Sequence, residues 1–212
     1  MTRQEPGGGG RKKTRAVYKL KHRAMGAPLS QHVGTVLEEI RDCFADFNFD
    51  SSEALAELIL DAPAVFLAGR GRSGLAASMF AIRLMHLGLT SHVIGEMTAP
   101  ALRSEDLVVT VSGSGKTPTT LLNAQAAKEA GAKVACVTAM HNSELSKLAD
   151  LVIVLPAPNR LSTGKDRGKS VQYGATLFEQ SVLILFDSLF LRLRDIRPAR
   201  DAELDQRHAN FD

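Results

Sequence analysis

Two short apolar runs, each passing directly into a glycine-rich loop, constrain the fold of this chain more than any other feature. The first is Val65-Phe66-Leu67-Ala68, followed by Gly69-Arg70-Gly71-Arg72-Ser73-Gly74. The second is Leu107-Val108-Val109-Thr110-Val111, followed by Ser112-Gly113-Ser114-Gly115-Lys116-Thr117. A brief apolar run bounded by turn residues reads as a strand buried on both faces, and helical periodicity resumes after each loop. Glycines let backbone approach a ligand closely, and unpaired N–H groups at a helix start attract anions. Ser112, Ser114 and Thr117 add hydroxyls at the same place. The second loop is therefore expected to hold a phosphate.

Two nucleotide motifs compete for these loops. Gly115-Lys116-Thr117 supplies the end of a P-loop, but the first glycine of that motif would fall at Thr110. No later strand ends in an obvious magnesium-binding Asp. The upstream loop is a literal G-x-G-x-x-G, the dinucleotide fingerprint. That site also wants an acid about 20 residues on, and Glu96 lies somewhat beyond. Arg70 and Arg72 inside the first loop, with a second anion loop after the third strand, speak against a dinucleotide. A sugar phosphate suits two converging hydroxyl-rich loops better.

The spacing predicts strands at 64–68, 91–95, 106–111, 133–138 and 150–155. Helices are expected at 31–47, from Asp50 to near Leu60, and at about 73–87, 117–130, 142–148 and 175–194. Asp50 with Glu53 suggests a capping box, and Gly88 and Gly131 sit where helices should stop. Strands alternating with helices imply an α/β three-layer sandwich: a five-stranded parallel sheet of flavodoxin-like order with helices on both faces. That order places the first and third strands side by side, so both loops face the switch-point crevice where ligands bind.

Composition agrees. Hydrophobic residues make up 44% with no Trp, which suits helices packed on a parallel sheet. Residues 1–25 hold eight Lys/Arg against one acid, leaving 18 basic and 22 acidic residues in the remainder. The pI of about 9.0 therefore comes from the tail. Residues 1–29 are read as a disordered basic tail, a dispensable extension rather than a nucleic-acid arm, because no recognition helix or aromatic interleaving accompanies the charge. The domain proper spans 30–195, and 196–212 is read as a polar C-terminal extension. Cys43 and Cys136 are expected as free thiols, without metal-ligand spacing. No apolar run reaches membrane-spanning length, no signal segment is evident, and the chain is expected to be cytoplasmic.

With these residues in view, the chain resembles a sugar isomerase (SIS) domain and, within it, the 6-phospho-3-hexuloisomerases. The resemblance rests on Gly69–Leu75, Arg83-Leu84-Met85-His86-Leu87-Gly88, Gly95-Glu96, Ser112–Thr117 and Ser170–Gln180 with its Leu177-Phe178-Glu179 element. It covers about residues 30–195. Two departures stand out: Tyr173-Gly174-Ala175 replaces a Pro-Met-Gly-like stretch, and Lys116 occupies a position often acidic.

The resemblance implies conversion of D-arabino-hex-3-ulose 6-phosphate to D-fructose 6-phosphate through a cis-enediolate, with no metal or cofactor. It also implies a homotetramer with sites near subunit interfaces; from the composition, neither nucleic acid nor a membrane is expected as partner. Other SIS aldose–ketose isomerases and a non-catalytic sugar-phosphate regulator are the alternatives. Glu179, in the first turn of an apolar helix, is the first candidate base; otherwise it is a carboxylate stabilising the helix dipole. His86 is a candidate acid–base or hydroxyl ligand, or else a histidine favoured by a helix C-terminus. Glu96 could hold a hydroxyl or share proton transfer, or be a solvated strand-end carboxylate. Ser73, Ser112, Ser114 and Thr117 are the phosphate candidates, helped by N–H groups of Gly113 and Gly115. Ser73 could instead be a helix N-cap, and Arg72 could reach the phosphate or a neighbouring subunit. Residues 157–172 read as a lid or a plain surface loop, and His141 as a surface residue.

Overall fold

A computed structural model describes residues 26–159, 162, 170–198 and 200–210. The basic tail up to residue 25 and most of the 157–172 segment lie outside the described residues. The elements run α1 (Leu29–Ala45), α2 (Asp50–Asp61), β1 (Val65–Gly69), α3 (Gly71–His86), β2 (Ser91–Val93), β3 (Leu107–Val111) and α4 (Pro118–Glu129). They continue with β4 (Lys133–Thr138), α5 (Glu144–Leu148), β5 (Leu151–Val154), α6 (Thr176–Ile196) and α7 (Asp201–Asp205).

All five strands pair in parallel in the order β2-β1-β3-β4-β5, the expected flavodoxin-like sheet. Alternation along each strand divides the core. Val65, Leu67, Leu107, Val109, Val111, Ala135, Val137 and Ile153 face a layer built from α1, α2, α3 and α6. Phe66, Val108, Val134 and Cys136 face α4 and α5 on the other side. Because β1 connects outward to β2 while β3 continues toward β4, the chain reverses between β1 and β3. The carboxyl ends of these two strands consequently flank a crevice.

α6 is the central helix of its layer. Leu177, Phe178, Val182, Leu185, Phe186, Leu189 and Leu193 recur at helical spacing and are buried. Phe186 stacks on Phe80 of α3 at 4.4 Å between centroids. Burying each such aromatic contributes about 1.5–3 kcal/mol, which fixes α3 against α6 and hence the loops at their N-terminal ends.

Several local expectations change. The capping box at Asp50 does not form: Phe49 is the N-cap, and Asn48 Oδ1 accepts the Asp50 N–H at 2.9 Å. The helix thus begins a residue early, and Glu53 is drawn instead to Arg192 Nε at 2.8 Å. α3 starts at Gly71 with Arg70 as its extended N-cap, so Ser73 lies inside the first turn and is no N-cap. β2 ends at Val93 rather than 95, where Gly95 turns the chain at φ 103°. The segment after residue 196 is more than a polar extension. It forms α7, tucks Leu204 against the core, and lays Arg207 over Gly88, with Arg207 Nη1 donating to the His86 carbonyl at 3.1 Å.

Candidate active site

The Ser112–Thr117 loop is built by β3 and released into α4. Ser112 is buried at the strand end, and its Oγ lies 2.9 Å from Thr117 Oγ1. The Gly115 N–H folds back to the Ser112 carbonyl at 3.0 Å and to Ser112 Oγ at 3.1 Å. Gly115 therefore contributes shape rather than the donor expected of it. It sits at φ 60°, and a Cβ there would fall 2.1 Å from Ser143 Oγ, so no other residue fits. The Gly113 carbonyl accepts from the Ala139 N–H at 3.1 Å, which ties the loop to the end of β4. The Lys116 N–H reaches Ser114 Oγ at 3.3 Å, and its side chain is exposed. Thr117 is the N-cap of α4 and Pro118 occupies the first helical position. The N–H groups of Thr119 and Thr120 are then the ones left without intrahelical acceptors, and the helix end carries partial positive charge.

The β1 loop meets this one across the switch point. Gly69 and Gly74 approach so closely that a Cβ on Gly74 would lie 2.8 Å from the Gly69 carbonyl oxygen. This tight turn starts α3 and aims Arg72 outward. Arg72 Nε donates to Glu179 Oε2 at 2.5 Å; the arginine is exposed and the carboxylate is 17% exposed. Glu179 is delivered by the first turn of α6, whose preceding residue, Phe178, is fully buried and packs directly on Gly113. Arg72 pairs with Glu179, and the adjacent Phe178 ties the start of α6 to the Ser112–Thr117 loop at Gly113. Ser73 is buried behind the β1 loop. Glu96 follows β2 on the same sheet edge and is exposed, as is His141 after β4.

His86 is not brought to that crevice within one chain. It lies fourteen residues from Arg72 on α3, about 21 Å along the helix axis. There it is buried and stacks on His208 at 5.2 Å. Burial first, then the charges of His208 and Arg83, hold its imidazole below the usual histidine range. Arg207 and His208 were not singled out from sequence. Among the described residues no group of three or more His, Cys, Asp or Glu is placed to hold a metal ion. No described helix is long and apolar enough to cross a membrane.

Comparison with known proteins gives this geometry a family. The SIS domain matches residues 58–165. The 3-hexulose-6-phosphate isomerase of Mycobacterium gastri is 37% identical over 190 residues, covering 90% of this chain and 94% of its own. The enzyme of the same name from Bacillus subtilis (strain 168) is 36% identical, with coverage of 86% and 98%. A crystal structure from Methanococcus jannaschii, from which 3-hexulose-6-phosphate isomerase function was inferred, superposes with a TM-score of 0.71. It is 28% identical, and the match covers 85% of this chain and 99% of that one. The chain belongs to the SIS domain family, among the relatives that carry the 3-hexulose-6-phosphate isomerase name.

Proposed function

We propose that this protein interconverts D-arabino-hex-3-ulose 6-phosphate and D-fructose 6-phosphate. Similarity over nearly the full length of both named isomerases supports the reaction. The structural observation that supports it is the packing of Phe178 on Gly113, which sets the first turn of α6, with Glu179 paired to Arg72, next to the Ser112–Thr117 loop. The loop hydroxyls and the start of α4 hold the 6-phosphate. This fixes the sugar chain so that its C2 and C3 lie toward Glu179.

Arg72 holds Oε2 of Glu179 and orients the carboxylate. Oε1 takes the proton from C2 of the 3-ketose, and the electron pair enters the C2–C3 bond as the C3 carbonyl becomes an enediolate oxygen. Returning a proton to C3, with the hydroxyl proton passing from O2 to O3, gives the 2-ketose. The reaction moves only protons. A positioned base supplies a factor of about 10²–10⁴, and the phosphate anchor contributes by fixing orientation. Glu96, at the neighbouring strand end, is assigned to substrate hydroxyls.

His86 enters through a second copy. Leu75, Met79 and Ile82 of α3 are 66%, 48% and 51% exposed. With Arg72 they form an exposed seam at 3- and 4-residue spacing, as packed helix pairs use, and His86, covered by His208 in its own chain, continues the same spacing at its end. Arg72 and His86 are each seven residues from Met79. A two-fold antiparallel pairing of α3 helices about Met79 brings His86 of one copy level with Arg72 and Glu179 of the other. Within a homotetramer this pairing would build the sites at subunit interfaces. The 30–195 span is the catalytic unit, with the C-terminal segment backing His86.

Incubating the purified protein with D-arabino-hex-3-ulose 6-phosphate and following fructose 6-phosphate tests the reading. Conversion is expected without added cofactor. Saturable binding of sugar phosphates without turnover would instead support a regulatory role, and turnover of arabinose 5-phosphate alone a different isomerase.

A further inference from the structure

The segment that leads into α6 is held by one side chain from a distant part of the chain. Glu39, in the middle of α1, accepts three hydrogen bonds from consecutive residues. Its Oε1 takes the Val171 N–H at 2.7 Å. Its Oε2 takes Ser170 Oγ at 2.7 Å and Gln172 Nε2 at 2.9 Å. The Gln172 N–H closes the network by donating to Ser170 Oγ at 3.0 Å. Burial opposes charge on Glu39, but the bonds from Ser170, Gln172 and Val171 outweigh it and hold the carboxyl below its ordinary value.

Apolar burial does not do this work, since Val171 and Tyr173 are 80% and 89% exposed. Directly after Gln172, the Tyr173 carbonyl accepts Thr176 Oγ1 at 2.6 Å and Gly174 turns at φ 67°, and α6 begins at Thr176. The first turn of α6 then sets Phe178 on Gly113 and Glu179 beside Arg72. A short, continuous route therefore links Glu39 to Glu179.

We propose that Glu39 is a positioning residue: its carboxylate clamps residues 170–172 and so fixes the entry of α6, and with it Glu179, against the phosphate loop. This rests on Glu179 acting in the isomerase reaction. The hydrogen bonds that shape the Ser112–Thr117 loop run within it and to β4, and none of them involves Glu39; its one link to α6 is the Phe178 ring on Gly113. Losing the clamp should misplace the base and leave the phosphate anchor intact.

The test compares Glu39→Ala, Glu39→Gln and wild type for kcat, KM, affinity for inorganic phosphate and Tm. Glu39→Ala is expected to lower kcat on the order of 10–100-fold, the effect of a slightly misplaced catalytic group, with phosphate affinity unchanged. Glu39→Gln retains an acceptor for the Val171 N–H and an amide that Ser170 Oγ and a flipped Gln172 can meet, so it is expected to recover part of kcat. A fall in Tm with kcat at the wild-type level would overturn the proposal, because Glu39 would then only support the fold. Parallel loss of phosphate affinity and kcat, or a Gln variant no better than Ala, would overturn it as well. Absence of turnover in the wild type would instead remove the functional reading on which it rests.

Discussion

The residues of the Ser112–Thr117 loop divide their labour in a way composition alone does not reveal. The β-strand, the glycines and the hydroxyls of Ser112–Thr117 were legible as an anion loop, because their chemistry is local. That Gly115 spends its N–H on Ser112 was not, since it depends on the path the loop takes past Ser143. The pairing of Arg72 with Glu179 was equally hidden. The two are separated by 107 positions, and only the packing of α3 on α6 joins them. At this scale the hydroxyls are the testable donors. Ser112→Ala and Thr117→Ala are each expected to weaken fructose 6-phosphate binding by about 1.5–3 kcal/mol, the value of a hydrogen bond to a charged group. Calorimetric titration checks this; unchanged affinity in both variants would remove the loop from the phosphate site.

The elements were the most legible level. Alternating strands and helices, with glycines where helices stop, set the sheet and its order, because period and punctuation are properties of the sequence itself. The element that escaped was the C-terminal one. Residues 201–210 have no apolar periodicity, yet Leu204 docks on the core, Arg207 caps the end of α3 at Gly88, and His208 stacks on His86. Such docking is tertiary, carried by one apolar residue and two polar contacts, so no pattern announces it. It has a consequence for pH. His86 is held below the ordinary histidine value of 6.5 first by burial and then by His208 and Arg83. The unfolded chain therefore binds the proton more readily than the folded one. The stability gained by keeping His86 neutral is present above that value and is lost as pH falls below it. Between pH 7.5 and 5.5 the wild type should lose more Tm than His86→Gln in thermal melts. Equal losses would show that this imidazole titrates freely.

For the whole molecule, the crevice and the His86 end of α3 lie too far apart to act on one substrate in one chain. The sequence placed both in the candidate site because motif resemblance carries no distance. An exposed seam of Leu75, Met79 and Ile82 between them offers the means of joining two chains. Glu179→Gln and His86→Gln, each inactive alone, should complement when mixed under exchange conditions. A two-fold pair that carries one substitution on each chain keeps one intact site, which restores about a quarter of wild-type activity on random remixing. No recovery despite verified subunit exchange would place His86 outside the shared site.

In the proposed reaction Glu179, set beside the Ser112–Thr117 loop, moves the proton between C2 and C3. The most direct test of this role measures turnover and fructose 6-phosphate affinity together in Glu179→Gln, an uncharged side chain of nearly the same shape. In that variant kcat is expected to collapse by about 10²–10⁴-fold, the contribution of a positioned base, while fructose 6-phosphate binds as in the wild type. Turnover near the wild-type rate in that variant would contradict the role.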